Sequence, residues 1–315
     1  MIDHSFTQHE YAARLAKTRA EMANRGLDAL FVTDPSNMAW LAGYDGWSFY
    51  VHQGVLLTHE GQPVWWGRAM DSAGAQRTTY LDDDNIVGYD DTYVQNPDKH
   101  PMEDLARLIA DRGLENARIG FELDNYYFTA SAFLTLQTRL PGVNIQNATA
   151  LVNWQRAVKS PTELEYMRRA ARIVERMHEV IREKAEVGMR KNDLIADIYH
   201  ASVSGAEGHW GDYPACVPMT PSGLDATAPH ITWDDAPLRN NEGTFFEIAG
   251  AHRRYQCPQS RTLFLGKPPQ KYLHAENAVL EAIDAGLEQA KPGNRCEDIA
   301  RAFNTTLRNR GFEKD

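Results

Sequence analysis

Apolar positions along the chain follow two different periods. EYAARLAKTRAEMANRGL (10–27) repeats them at helical spacing and stops near Gly26, and DALFVTD (28–34) is the continuous apolar run of a buried strand. SFYVHQGVLLT (48–58) and PVWWG (63–67) are β-rich and separated by the turn-like HEGQ, which predicts a hairpin. PMEDLARLIADRG (101–113) predicts a helix with Pro101 near its start, ARIGFE (117–122) a strand, and TASAFLTLQTRL (129–140) another helix. This alternation predicts an α/β domain over residues 1–150. It contains no glycine-rich phosphate loop.

NATALVNWQRAVKSP (147–161) reads as the link into a second domain, residues 151–315. SPTE has the form of a capping box, with Ser160 at the N-cap, Pro161 at N1 and Glu163 at N3, and opens an amphipathic helix to about Val187. GMRKNDLIA (188–196) and GNRCEDIAR (293–301) share a Gly-x-Arg-x-x-Asp skeleton at an offset of 105 residues. Each follows one long helix and opens another, so they predict an internal repeat. The first copy ends in strands; the second reaches only its two helices. HWGDYPACVPM (209–219) is read as the first copy's first strand and as a possible pocket lining.

Composition narrows the function. Lys+Arg 33 against Asp+Glu 43 gives a net charge of −10, and no block of basic residues occurs, so an electrostatic footprint for nucleic acid or anionic membrane is missing. A small-molecule partner is expected. The polar start MIDHSFTQHEY has no signal-peptide pattern and no stretch approaches the ~18 apolar residues of a membrane span, so the chain reads as soluble and cytoplasmic. Cys216, Cys257 and Cys296 are odd in number and widely spaced, which fits reduced thiols rather than a disulfide framework or zinc knuckle. Asp82, Asp83 and Asp84 read as a solvated turn.

FEIAGAHRRYQCPQSRTLFLG (246–266) reads as two strands joined by a tight connection. With the KSPTELEYMRRAARI segment and the preceding α/β domain, it resembles the creatinase/prolidase, or pita-bread, family over nearly the whole chain. The fold class implied is an α/β N-terminal domain followed by an α+β pita-bread domain, the latter incomplete here. Metal-dependent members hold two ions with two aspartates, one histidine and two glutamates, the aspartates standing eleven apart before a Thr-Arg-Thr run. SRT (260–262) matches that run, which puts Glu247 on the first aspartate and Pro258 on the second. A proline side chain has no ligand atom, so the resemblance implies no metal and no other cofactor.

Metal-free creatinase uses a histidine upstream of the same strand, and His230 stands seventeen positions before Glu247. SNMAWLAGYDGWSFYVHQ, the double tryptophan of PVWWGRAMDSAGAQRTT, and Glu247 with CPQSRT are similar to the members that degrade ectoine, a cyclic amidine carboxylate. That likeness implies opening of the ring to N-acetyl-2,4-diaminobutyrate. Its delocalised amidinium carbon is already electrophilic and needs no metal to polarise it. Glu247 is then the nucleophile or the base that prepares water, and His230 the proton carrier, with the two roles exchangeable.

Trp47 and Tyr50, in the glycine-flanked YDGWSFY, are candidate substrate-binding residues, since aromatic faces attract desolvated cations by ~0.5–2 kcal/mol. Arg261 is the candidate partner of the substrate carboxylate, for which a planar guanidinium fork is suited. Arg253 and Arg254 lie in the strand connection and are read as equally open to solvent. The family implies a homodimer whose N-terminal domain reaches across to the other subunit. It also implies further strands after residue 302, so the expectation is a shortened chain that exposes strand edges and is inactive alone. Rival readings are a creatinase-type amidinohydrolase acting on creatine, a non-catalytic pita-bread binding module, and a metal-dependent prolidase.

Overall fold

The structure is a computed structural model that describes residues 5–314; the first four residues of the polar N-terminal stretch, and Asp315, lie outside that range. The chain divides into two compact units, residues 1–164 and 165–315.

The first unit is a mixed sheet with helices on both faces. Its strands are β1 (Ala29–Val32), β2 (Gly54–Thr58), β3 (Val64–Arg68), β4 (Ile86–Tyr89), β5 (Arg118–Phe121) and β6 (Asn144–Asn147), in spatial order β4-β3-β2-β1-β5-β6. Its helices are α1 (Gln8–Asn24), α2 (Pro35–Ala42), α3 (Ser72–Thr78), α4 (Met102–Asp111), α5 (Ala130–Arg139) and α6 (Leu151–Arg156). Strand periodicity builds two cores from one sheet. Leu30, Val32, Val55, Leu57 and Trp65 join α1, α2 and α6 on one face, whereas Phe31, Leu56, Trp66 and Ile119 join α4 and α5 on the other. Residues 151–156, on the linker, pack into the first of these cores through Leu151 and Val152.

Two buried polar knots hold the unit. Arg14 Nη2 lies 2.8 Å from Glu10 and 3.5 Å from Glu163, and its guanidinium stacks 3.8 Å from the Phe6 ring centroid. Glu163 also accepts from Trp40 Nε1 at 2.9 Å. The capping box forms in full: Ser160 N donates to Glu163 Oε2 at 2.6 Å and Glu163 N donates to Ser160 Oγ at 3.2 Å. The second knot centres on Glu122, which accepts from Thr33 N, Asp34 N and Asn37 Nδ2 at 2.7, 2.8 and 2.6 Å.

α7 (Pro161–Lys184) carries the chain into the second unit, followed by α8 (Lys191–Ser204), the strands β7 (Glu242–His252) and β8 (Tyr255–Leu265), α9 (Gln270–Gln289) and α10 (Cys296–Asn309). The repeat has a structural counterpart. Gly188 and Gly293 share a left-handed backbone, φ 93° and 94°, and Arg190 and Arg295 are the N-caps of α8 and α10. Both turns require the glycine and restart the chain as a helix three residues later. β7 and β8 form an antiparallel hairpin whose two-residue connection, Arg253 and Arg254, has both φ angles positive, 47° and 68°. That is the geometry a right-twisted hairpin prefers, reached without glycine. Arg254 is anchored there, with Nη1 2.9 Å from Asp212 Oδ1 and its guanidinium 3.8 Å from the Tyr213 ring centroid.

Two sequence expectations need revision. Residues 48–53 precede β2 as a loop, so the first hairpin starts only at Gly54. Residues 209–219 form no strand; at their two ends His209 and Met219 make isolated bridges, to Ala206 and Glu247. Pro214 and Pro218 remove backbone donors from that segment and prevent a regular ladder.

Candidate active site

Glu247 lies on the middle segment of a three-segment arrangement. On one side β7 pairs with β8, Glu247 facing Ser260; on the other, Glu247 N donates to Met219 O and Met219 N donates to Glu247 O, each at 3.0 Å. The neighbours Phe246 and Ile248 are buried in the core against α7 and α8, so alternation turns Glu247 to the opposite face, where it is half-buried. Cys216 is close by: burial pushes its thiol pKa up, and the Glu247 carboxylate adds to the shift. A carboxylate on an accessible sheet face beside an un-ionised thiol can act as a base or nucleophile.

The same register settles two other positions. Pro258 pairs with Ala249 and so shares the Glu247 face; Arg261 pairs with Phe246 and lies on the other. Arg261, expected to bind the substrate carboxylate, therefore stands on the face opposite Glu247, since a one-residue step along a strand exchanges faces. It donates to Ser260 O at 2.7 Å and lines a cavity of about 520 Å³ with Glu175, His178 and Arg182. His230 lies exposed after a short 3-10 turn (Gly223–Thr227), with φ 64°, and forms no hydrogen bond or ion pair among the described residues. Cys216 and Met219 lie in the 209–219 segment read as a possible pocket lining, although a lone cysteine and a methionine in an irregular segment carry no spacing signal that picks them out within it.

Trp47 and Tyr50 belong to the first unit. Unlike Trp65 and Trp66, which are fully buried, they are 63% and 60% exposed, with ring centroids 5.8 Å apart. Tyr50 borders a cavity of about 490 Å³ that also holds His52, Arg68, Lys99 and His100. The His52 and His100 rings stand 4.7 Å apart, and burial, then His100, pushes the His52 pKa down to about 4. Such a histidine is neutral in the fold but takes up a proton near 6.5 when unfolded, so its contribution to stability is present above 6.5 and lost as the pH falls toward 4. Thermal unfolding between pH 7 and 4.5 checks this: His52→Asn is expected to flatten the acid-side fall in Tm, and an unchanged slope contradicts it.

Position 258 is on the right face to share an ion with Glu247 but carries a proline, and the described residues hold no group of three or more His, Cys, Asp or Glu placed to bind one. A dinuclear site needs carboxylates that hold the ions ~3.5–4 Å apart.

A sheet domain with helices on both faces, followed by a helix, helix and hairpin unit that begins to repeat itself around a carboxylate, defines a hydrolase of the creatinase/prolidase class. Residues 14–158 match the model of the creatinase/prolidase N-terminal domain and residues 165–315 that of metallopeptidase family M24, and the chain belongs to that family. It is 56% identical over 315 residues to the ectoine hydrolase of Halomonas elongata, covering 98% of this chain and 79% of that protein. It is 37% identical to the uncharacterized hydrolase/peptidase y4tM of Sinorhizobium fredii, again over 98% of this chain and 79% of the relative. Among solved structures, a prolidase from Thermococcus sibiricus superposes with a TM-score of 0.81 at 17% identity, covering 96% of this chain and 78% of that one. The dipeptidase PepE of Mycobacterium ulcerans gives 0.78 at 23%, covering 97% and 78%.

Proposed function

We propose that the protein hydrolyses ectoine to N-acetyl-2,4-diaminobutyrate without a metal, as a cytoplasmic homodimer. The observation that carries the reading is the Glu247 face, with one carboxylate and a proline where a second ligand would stand, in a chain 56% identical to an ectoine hydrolase. Among the described residues no helix is long and apolar enough to cross a membrane.

The chemistry follows from the substrate's charge. Glu247 stabilises the amidinium and stands as the nucleophile toward its carbon, while His230 gives a proton to the departing ring nitrogen and then takes one from water. Addition at the carbon, cleavage of one ring C–N bond and hydrolysis of the Glu247 adduct leave an acetamide, a free amine and the regenerated carboxylate. Trp47 and Tyr50 serve as the aromatic platform for the planar cation.

Proton NMR of the whole protein with ectoine, hydroxyectoine and creatine in separate tubes tests this reading. Ectoine is expected to disappear as the acetamide methyl signal of the product grows, with hydroxyectoine as the second substrate to be scored. Consumption of creatine alone assigns the protein to the amidinohydrolases, and consumption of none of the three to a binding role. Replacing His230 with alanine is expected to lower kcat about a hundredfold, the lower end for loss of a positioned proton carrier, with ectoine still bound. Unchanged kcat removes His230 from the reaction.

A further inference from the structure

The loop that carries Trp47 and Tyr50 has no regular structure, yet it stands on a pedestal of buried polar side chains. Tyr44 Oη and Ser48 Oγ are 2.5 Å apart, and Ser48 Oγ donates to Gln53 Oε1 at 2.7 Å. A serine hydroxyl has one proton, so a serine that donates to Gln53 accepts from Tyr44, and the three form a directed relay. Burial pushes the Tyr44 phenol up to about 12, which keeps its donor proton in place at neutral pH. Tyr44, Ser48 and Gln53 are 4%, 2% and 4% exposed, so water does not compete for these bonds.

The backbone is fitted to the same relay. A Cβ on Gly46 would lie 2.3 Å from Tyr44 Oη, so only glycine lets the chain pass over the phenol. Above it, the usual partition is inverted: the polar Ser48 is inside, and Trp47 and Tyr50 are outside, with Phe49 4.9 Å from the Trp47 ring. Exposed aromatics held by buried hydrogen bonds are preorganised, and preorganisation strengthens binding by removing the entropy lost on ordering.

We infer that Ser48 is a positioning residue, which by joining Tyr44 to Gln53 holds Trp47 and Tyr50 in place for the substrate's planar cation. The inference rests on the proposed role of that aromatic pair.

The test uses Ser48→Ala and Tyr44→Phe in the whole protein, with ectoine kinetics and acrylamide quenching of Trp47, isolated by difference against Trp47→Phe. Ser48→Ala is expected to raise KM about tenfold, the size of one aromatic–cation contact, with kcat within about twofold. The Trp47 quenching constant is expected to change in step. A KM within about twofold of the parent, a loss confined to kcat, or unchanged quenching overturns the inference. If Ser48→Ala fails to fold, Tyr44→Phe, which keeps the ring and removes the donor, is judged by the same criteria. If the parent does not turn over ectoine, the reading of the site fails and the positioning claim is decided by quenching alone.

Discussion

Replacing Glu247 with glutamine is expected to lower kcat for ectoine by about a thousandfold, within the ~10²–10⁴-fold range of positioned acid–base groups. Glutamine keeps the shape and the backbone pairing to Met219 and Ser260, which uses main-chain atoms only. What it removes is the negative charge and the nucleophilic oxygen. Because the side chain stands half-buried on the face turned away from Phe246 and Ile248, the fold is expected to change by less than about 0.5 kcal/mol. Measuring kcat, KM and Tm together separates the two effects. A variant that keeps more than a tenth of the parent's kcat, by this reckoning, takes Glu247 out of the chemistry.

The largest effect on stability is expected at Glu122. This carboxylate is 3% exposed and serves Thr33 N, Asp34 N and Asn37 Nδ2 at once, joining the ends of β1 and β5 to the start of α2. Burial pushes its pKa up, and the donors from Asp34, Thr33 and Asn37 oppose the shift. Glu122→Ala leaves Thr33 N, Asp34 N and one N–H of the Asn37 amide without an acceptor, the other Asn37 N–H still donating to Asn153 Oδ1 at 2.9 Å, and each unmet buried donor costs ~1–3 kcal/mol. Such penalties add incompletely, so the expected loss is about 3–5 kcal/mol, or a Tm lower by about 10 °C. Glu122→Gln, which keeps one acceptor oxygen, is expected to lose less than half of that. Chemical denaturation monitored by tryptophan fluorescence reads both, and equal losses for the two variants contradict the account.

The fold was legible in the sequence where one physical signal dominated. The continuous apolar runs ALFV and VLLT as buried strands, the Ser160–Glu163 capping box, and the paired glycine turns at 188 and 293 all depend on local chemistry. Residues 209–219 misled because their apolar content resembles a strand, while prolines deny it a ladder. Motif spacing locates a residue along a strand but leaves its face to the register: Arg261 pairs with Phe246, on the face opposite Glu247. Cys216 falls in a segment read as a possible pocket lining, but its nearness to Glu247 arises from a loop that no periodicity describes.

The aromatic residues divide along the same line. Burial places Trp40, Trp65 and Trp66 in the core and leaves exposed Trp47 and Tyr50, the pair that the glycine-flanked YDGWSFY segment had set apart. Trp40 shows how far apart the two uses lie, since its Nε1 is committed to Glu163 inside the first knot.

Amidine hydrolysis by Glu247 without a metal is tested most directly by ectoine turnover, followed by proton NMR in the presence of a strong chelator, with metal content determined on the same sample. Product is expected to form at the unchelated rate from protein that carries no stoichiometric metal. Loss of turnover with chelator, restored by adding back a divalent ion, contradicts it and returns the protein to the metal-dependent members of its family.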